Sequence, residues 1–200
     1  DQFYHSNQTP EWVPKGEGPL LVIMGGSKGA DAINQILLNS LEFLDKQNFR
    51  AVHITGKNFG SHAKKNNFSN YVQKEFTHEI AGLIQNCDLV ISRSGAGTIN
   101  ELIQTSKPSI LIPYPNSKNN HQEKNAMILA EIGGSMLINQ NHISKELFEE
   151  TLKRIFELKS NNGKFEYETL NQMRKNMENI HKINPNNEIQ KLINYFLKEF

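Results

Sequence analysis

The spacing of apolar and polar positions along this chain changes repeatedly, and each change marks an element. Residues 1–19 are polar and carry Pro10, Pro14 and Pro19, which predicts an extended lead-in. Residues 19–24 (PLLVIM) form an unbroken apolar run that stops at Gly25-Gly26, as expected of a strand buried on both faces of a parallel sheet. Ile33, Ile36, Leu37, Leu41 and Leu44 then recur at helical spacing. A second strand is predicted at 50–56, a polar loop with a short helix at 57–70, and a third strand at 71–76. A short helix at 79–86 leads into a fourth strand at 88–92. Next come a helix at 97–106, a strand at 108–113, a helix at 120–132 stopped by Gly133-Gly134, and a strand at 135–138. Ser144 is placed to cap a helix whose face carries Leu147, Phe148, Thr151, Leu152 and Ile155. Two further helices are expected at about 165–181 and 187–199, separated by Pro185. The last carries an apolar stripe of Ile189, Leu192, Ile193, Phe196 and Leu197.

Alternation of strand and helix implies an α/β chain, a Rossmann-like parallel sheet with helices on both faces. The expected organisation is a lead-in or linker at 1–19, a Rossmann-like domain at 20–160, and C-terminal helices at 161–200. Those helices either pack on this domain or dock on a second domain outside the chain. In open α/β sheets ligands sit beyond the carboxyl ends of the strands. Two glycine-rich turns fall at such ends, Gly25-Gly26-Ser27-Lys28-Gly29-Ala30 and Ser92-Arg93-Ser94-Gly95-Ala96-Gly97-Thr98.

A strand that turns through glycines into a helix presents free N–H groups and a positive dipole end, which suits phosphate. The first turn lacks the Gly-x-Gly-x-x-Gly spacing of a dinucleotide fingerprint, and no Gly-Lys-Ser/Thr follows it, so NAD and ATP recede. Ser27 can donate to a phosphate or sugar oxygen. In the second turn Ser94, Gly95, Ala96, Gly97 and Thr98 are all small and let a ligand approach the backbone. Glu101 follows within the first turns of that helix. Its carboxylate either accepts hydrogen bonds from a ribose diol or is a helix-start acid favoured by the dipole. Residues 119–125 (NNHQEKN) offer amides for sugar hydroxyls, or are a solvated helix start.

Composition narrows the function further. The chain has 200 residues, 37% hydrophobic and 22% charged, with net charge +1. Basic residues spread along the chain argue against a nucleic-acid partner. The lone Cys87 excludes an internal disulfide framework and fits a reducing compartment. No run approaches the ~18 apolar residues of a membrane span, and the N-terminus has no signal-peptide pattern. The chain starts at Asp1 without an initiator Met, which predicts a fragment or a processed product. There is no zinc-ligand spacing and no nucleophile elbow, so neither a metal nor a cofactor is expected.

The two glycine turns, together with Ile99-Asn100-Glu101 and His121-Gln122-Glu123-Lys124-Asn125-Ala126, resemble the C-terminal half of the MurG family of bacterial peptidoglycan N-acetylglucosaminyltransferases. The resemblance runs in order from about residue 20 to 155. It implies a GT-B glycosyltransferase whose C-terminal half binds UDP-N-acetylglucosamine (UDP-GlcNAc). The implied reaction transfers GlcNAc to lipid I, with inversion, to form lipid II. Carried over by motif, Ser27 contacts the donor's phosphate or sugar region, and Phe76 and Thr77 border the uracil. Ser94, Gly95, Ala96, Gly97 and Thr98 cradle the diphosphate, Glu101 holds the ribose, and Gln122 and Asn125 meet the sugar. His121 stands where the family usually has a glutamine. Acceptor loop and catalytic base belong to an N-terminal half with no counterpart here, so no catalytic residue is expected in this chain. The resemblance also implies a cytoplasmic enzyme, peripheral on the inner membrane, touching lipid I and the membrane surface through that half. Other readings of the same residues are a different UDP-sugar enzyme, a hydrolase or two-subunit transferase, or a non-catalytic nucleotide-sugar binding module.

Overall fold

The computed structural model describes residues 8–25, 30–57, 59, 68–161 and 163–180. The chain divides into two compact units, Asp1–Arg93 and Ser94–Phe200. Each is α/β with parallel strands, the Rossmann-like class expected.

The first unit runs β1 (Leu20–Met24), α1 (Asp31–Asn39), α2 (Leu41–Lys46), β2 (Arg50–Ile54), β3 (Tyr71–Lys74), α3 (Ile80–Asn86) and β4 (Leu89–Ser92). Its strands lie in the order β3-β2-β1-β4. Leu21 of β1 pairs in parallel with Ala51 of β2 on one side and Leu89 of β4 on the other. The apolar runs read from the sequence are the core: Leu21, Val22, Ile23, Ala51, Val52, Leu89, Val90 and Ile91 are all fully buried. Burial of one such large side chain contributes about 1.5–3 kcal/mol. The bottom of β1 is tied to β4 through one residue, Asp88. Its carboxylate accepts from the Leu20 N–H at 2.8 Å, and its own N–H donates to the Leu20 carbonyl at 2.8 Å.

One local feature of this unit differs from the sequence expectation. The single helix predicted after β1 bends at Ser40 (φ −103°, ψ 5°) into α1 and α2. Serine is a poor helix-interior residue, and the Leu37–Leu41–Leu44 stripe stays buried across the bend, so the periodicity concealed it. The described part of the lead-in is packed. Pro10, Val13 and Pro14 are buried, and Arg50 donates to the carbonyls of Gly18 (2.7 Å) and Pro14 (3.2 Å).

A polar cluster lies inside this unit. His53 is fully buried, with Nε2 2.8 Å from Asn34 Oδ1 and Nδ1 2.8 Å from the Tyr71 hydroxyl. Asn34 Nδ2 donates to the Thr55 carbonyl at 3.1 Å. That carbonyl can only accept, so Asn34 presents its oxygen to the ring and Nε2 carries the proton. The cluster ties α1 to the ends of β2 and β3.

The second unit holds α4 (Ala96–Gln104), β5 (Ser109–Leu111), α5 (His121–Glu131), β6 (Ser135–Leu137), α6 (Lys145–Ile155), β7 (Leu158–Asn161), β8 (Lys164–Tyr167) and α7 (Glu168–Glu178). Strands β5 and β6 pair in parallel, Ile110 opposite Met136. Ser144 caps α6 as expected, accepting from the Leu147 N–H at 3.1 Å. Phe148, Leu152 and Ile155 are the buried face of α6, while Leu147 is exposed.

The segment expected to begin a helix at 165 instead closes an antiparallel hairpin, β7 with β8, in which Asn161 pairs with Lys164. The two intervening residues are Asn162-Gly163, a strong hairpin signal, and Gly163 has φ +82°. Helix α7 then packs on this unit, with Leu170, Met173, Met177 and Ile180 buried. It sits against the α5–β6 turn so closely that a Cβ on Gly134 would lie 2.2 Å from Met177 Sδ. The stripe from Ile189 to Leu197 lies outside the described residues.

Burial without a compensating charge pushes His53 down from its ordinary value to about 3. The unfolded chain therefore binds a proton near pH 6.5 that the folded chain refuses until about pH 3. Stability from this residue is fully present above pH 6.5 and is lost as pH falls toward 3, up to on the order of 4 kcal/mol. Urea denaturation at several pH values checks this. The His53→Gln variant should lose that part of the acid slope, and equal slopes for both proteins would refute it.

Candidate functional site

Strand order in the first unit reverses between β1 and β4, which makes their carboxyl ends the topological switch point where open α/β sheets hold ligands. Strand β1 ends at Met24, Gly25 follows it, and Gly26, Ser27, Lys28 and Gly29 lie outside the described residues. Ser27 therefore keeps its expected role only from the sequence. Strand β4 ends at Ser92 and Arg93, after which the chain enters the second unit.

There, α4 begins with a glycine cap. Gly95 is extended (φ −63°, ψ 154°) and no side chain caps the helix. The first intrahelical bond runs from the Ile99 N–H to the Gly95 carbonyl, so the N–H groups of Ala96, Gly97 and Thr98 have no partner in the helix. Gly95 and Gly97 are not needed for an unusual backbone, since neither has positive φ. Nor are they needed for packing, because a Cβ on either would meet nothing within 4 Å. Neither glycine is required by the fold, and they stand beside three N–H groups and a positive helix end that no side chain caps. An anion can reach them.

Glu101 stands one turn along the same helix and is half-buried. Burial raises its carboxyl from the ordinary value to about 7, so near neutrality it is poised between its two forms.

The start of α5 is built on two consecutive asparagines in the left-handed region, Asn119 (φ 52°) and Asn120 (φ 55°), a conformation asparagine tolerates better than most residues. His121 is exposed and donates from Nδ1 to the Lys118 carbonyl at 2.6 Å, leaving Nε2 as an acceptor. Gln122 accepts from the Tyr114 N–H through Oε1 at 2.9 Å. Asn125 donates from Nδ2 to the Ser94 carbonyl at 3.0 Å. The buried Ser94 hydroxyl donates to the Gln122 carbonyl at 2.7 Å.

Ser94 is thus fastened to α5 twice, and the N-termini of α4 and α5 are held side by side. Asn125 commits its amide nitrogen to this bracing and Gln122 commits its amide oxygen to the Tyr114 N–H, which leaves Asn125 Oδ1 and Gln122 Nε2 outside these bonds. The sequence suggested ligand contacts for Ser94, Gln122 and Asn125. It carried no sign of the bracing, which joins residues 28 and 31 positions apart.

Phe76 and Thr77 lie in the first unit, after β3. Phe76 is 56% exposed and meets His78 edge-on at 4.8 Å, and Thr77 Oγ1 accepts from the Glu79 N–H at 3.1 Å. A small cavity of about 160 Å³ in the second unit lies beyond β5 and β6, between Tyr114–Ser117 and Asn139–Asn141. Among the described residues no group of three or more His, Cys, Asp or Glu could hold a metal ion, and no helix is long and apolar enough to cross a membrane.

Comparison with known proteins adds to this geometry. The family model of the glycosyltransferase family 28 C-terminal domain matches residues 20–184. A relative from Prochlorococcus marinus (strain MIT 9312), a UDP-N-acetylglucosamine--N-acetylmuramyl-(pentapeptide) pyrophosphoryl-undecaprenol N-acetylglucosamine transferase, is 70% identical over 100% of this chain and 55% of its own length. The protein of the same name from strain NATL2A is 38% identical over 96% of this chain and 53% of its own length. The chain thus spans about half the length of the curated relatives it matches. Among solved structures, Acinetobacter baumannii MurG aligns with a TM-score of 0.66 at 21% identity, covering 92% of this chain and 51% of that one. The glycosyltransferase VinC, solved with dTDP, aligns at 0.60 and 13% identity, covering 94% and 43%; both likenesses concern the fold.

The Ser94 bracing gives a stability expectation. Ser94→Ala removes a donor and leaves the Gln122 carbonyl without it, at a cost of about 1–3 kcal/mol. Chemical denaturation of the two proteins measures the difference, and unchanged stability would show that the bridge carries no weight.

Proposed function

Since this chain belongs to the glycosyltransferase family 28 C-terminal domain family, we propose that it is the donor-binding part of an inverting transferase that moves GlcNAc from UDP-GlcNAc to lipid I, forming lipid II. The observation that carries this reading is the glycine-capped start of α4, where a Cβ on Gly95 or Gly97 would meet nothing within 4 Å and three N–H groups have no partner in the helix. In this reading Gly95, Ala96, Gly97 and Thr98 receive the diphosphate, with Ser94 fixing the loop. Glu101 takes the ribose hydroxyls. Gln122, Asn125 and His121 meet the sugar through the amide ends and ring nitrogen that their hydrogen bonds within the chain leave over. Phe76 and Thr77 of the first unit border the uracil, and Ser27 contacts the phosphate or sugar region.

The chemistry asked of these residues is electrostatic. As the glycosidic bond breaks, UDP departs and its diphosphate gains charge. Fixed N–H donors and a helix dipole stabilise that charge without having to reorganise. Direct displacement by the acceptor hydroxyl inverts the anomeric carbon and needs no covalent enzyme intermediate. The base that removes the acceptor proton, the lipid I contacts and the contact with the cytoplasmic face of the membrane are assigned to the part of the longer relatives outside this chain. The UDP-sugar-binding domain is assigned to residues 20–160.

Calorimetric titration with UDP and UDP-GlcNAc tests the reading, and absence of binding by both would overturn it. Gly97→Ala should leave stability unchanged or raise it, since alanine gains about 0.5–1 kcal/mol over glycine in a helix. The same variant should weaken UDP-GlcNAc by tenfold or more, on the order of 1.4 kcal/mol, because the new methyl occupies the approach to the N–H groups. Unaltered affinity would remove the diphosphate from this site.

Glu101 supplies a pH signature. Hydroxyl donors favour the ionised carboxylate, and the free carboxyl titrates near 7. Affinity should therefore rise with pH up to about 7 and then level, with a proton released on binding at lower pH. Glu101→Ala should weaken UDP-GlcNAc by about 1–3 kcal/mol and flatten the pH profile. A wild-type affinity independent of pH between 5.5 and 8 would refute the ribose role.

A further inference from the structure

We infer that Trp12 is a positioning residue for nucleobase recognition: the lead-in lays its indole across both ends of the β3–α3 loop and holds that loop in its base-reading shape. The inference rests on the uridine diphosphate reading above. The indole Nε1–H donates to Glu79 Oε2 at 2.6 Å, at the N-cap of α3. Lys74 Nζ, on the last residue of β3, lies 4.1 Å from the centre of the same ring. Residues 75–78 are the segment between those two contacts, and they contain Phe76 and Thr77.

The first residue of the segment is tied to the end of β2, the Gly56 N–H donating to the Glu75 carbonyl at 3.1 Å. Beyond it, the contacts are the Phe76–His78 edge contact and the Glu79 N–H to Thr77 Oγ1 bond. The N–H and C=O groups of Phe76 and Thr77 make no backbone hydrogen bond among the described residues. A pyrimidine edge with one donor between two acceptors can pair with such groups, provided that they are held still. The exposed Phe76 ring offers an apolar surface beside them.

The strap itself is firmly rooted. The Val13 N–H donates to the Pro10 carbonyl at 3.1 Å, Val13 and Pro14 are buried, and Arg50 ties down Pro14 and Gly18 from behind. Gly18 admits no side chain, since a Cβ there would lie 1.6 Å from the Asn48 carbonyl oxygen. Trp12 therefore approaches the loop from an anchored stretch 67 residues distant in sequence.

Trp12 is the chain's one tryptophan, so its emission reports on this loop directly. Uridine and UDP should shift the emission of the 200-residue chain saturably, and inorganic pyrophosphate should not. Trp12→Phe keeps a ring under Lys74 but removes the N–H donor. It should weaken UDP by about tenfold, the size expected when a hydrogen bond to a carboxylate is lost. Glu79→Gln should act in the same direction by a smaller factor. Pyrophosphate affinity should stay within about twofold of wild type in both variants, with thermal midpoints recorded on the same samples. A merely structural Trp12 would lower both affinities together, and that result overturns the inference. So does UDP affinity unchanged in Trp12→Phe, or silent emission in a chain that binds UDP. If UDP fails to bind the wild-type chain, the donor reading fails and this inference goes with it.

Discussion

Every α-helix begins with N–H groups that its own backbone cannot satisfy, and the arrangement of this protein turns on how one helix treats them. Among the described α-helices only α6 covers the deficit with a side-chain cap, from Ser144. Helix α4 differs in being capped by glycine: its cap is Gly95, its second residue is Gly97, and a Cβ on either would meet nothing within 4 Å among the described residues. Such an end is useful only if it cannot move. The double fastening of Ser94 to Gln122 and Asn125 supplies the rigidity. One short run of residues thus holds both the bracing hydroxyl and carbonyl of Ser94 and the N–H groups of Ala96, Gly97 and Thr98 that the helix leaves unpaired.

Burial of titratable groups divides the same way. His53 and Glu101 are both removed from water, and each is driven toward its neutral form, the histidine downward and the acid upward. Their surroundings differ. His53 is enclosed between Asn34 and Tyr71, where a neutral ring completes a hydrogen-bonded chain linking α1 to β2 and β3. Glu101 is only half-buried, so a ligand can still reach it. One is held neutral for structure, and the other is left close to its midpoint.

Legibility of the sequence followed the range of the interactions involved. Strands β1, β2 and β4 announce themselves because a strand buried on both faces must be apolar throughout. The start of α4 was readable because glycine, small residues and an acid one turn later are a local pattern. The hairpin of β7 and β8 was misread as helix, although Asn162-Gly163 and the alternation Lys164-Phe165-Glu166-Tyr167 were local signals for it. The bend at Ser40 was invisible because the apolar stripe runs through it. The bracing of Ser94, the Trp12–Glu79 bond and the fit of Met177 against Gly134 join residues between 28 and 67 positions apart, and no local pattern encodes such pairs.

The strand order of the first unit also bears on how the chain is made. Strand β1 cannot complete its second edge until β4 exists, and the clasp between Leu20 and Asp88 spans 68 residues. At ribosomal speeds of about 5–20 residues per second, an apolar strand waits roughly 3–14 s for that partner. During that interval β2 can already cover one edge, while the other presents an open row of N–H and C=O groups of the kind that invites wrong pairing. The central position of β1, which sets the switch point in the finished fold, thus leaves residues 20–24 with one edge open to wrong pairing during synthesis.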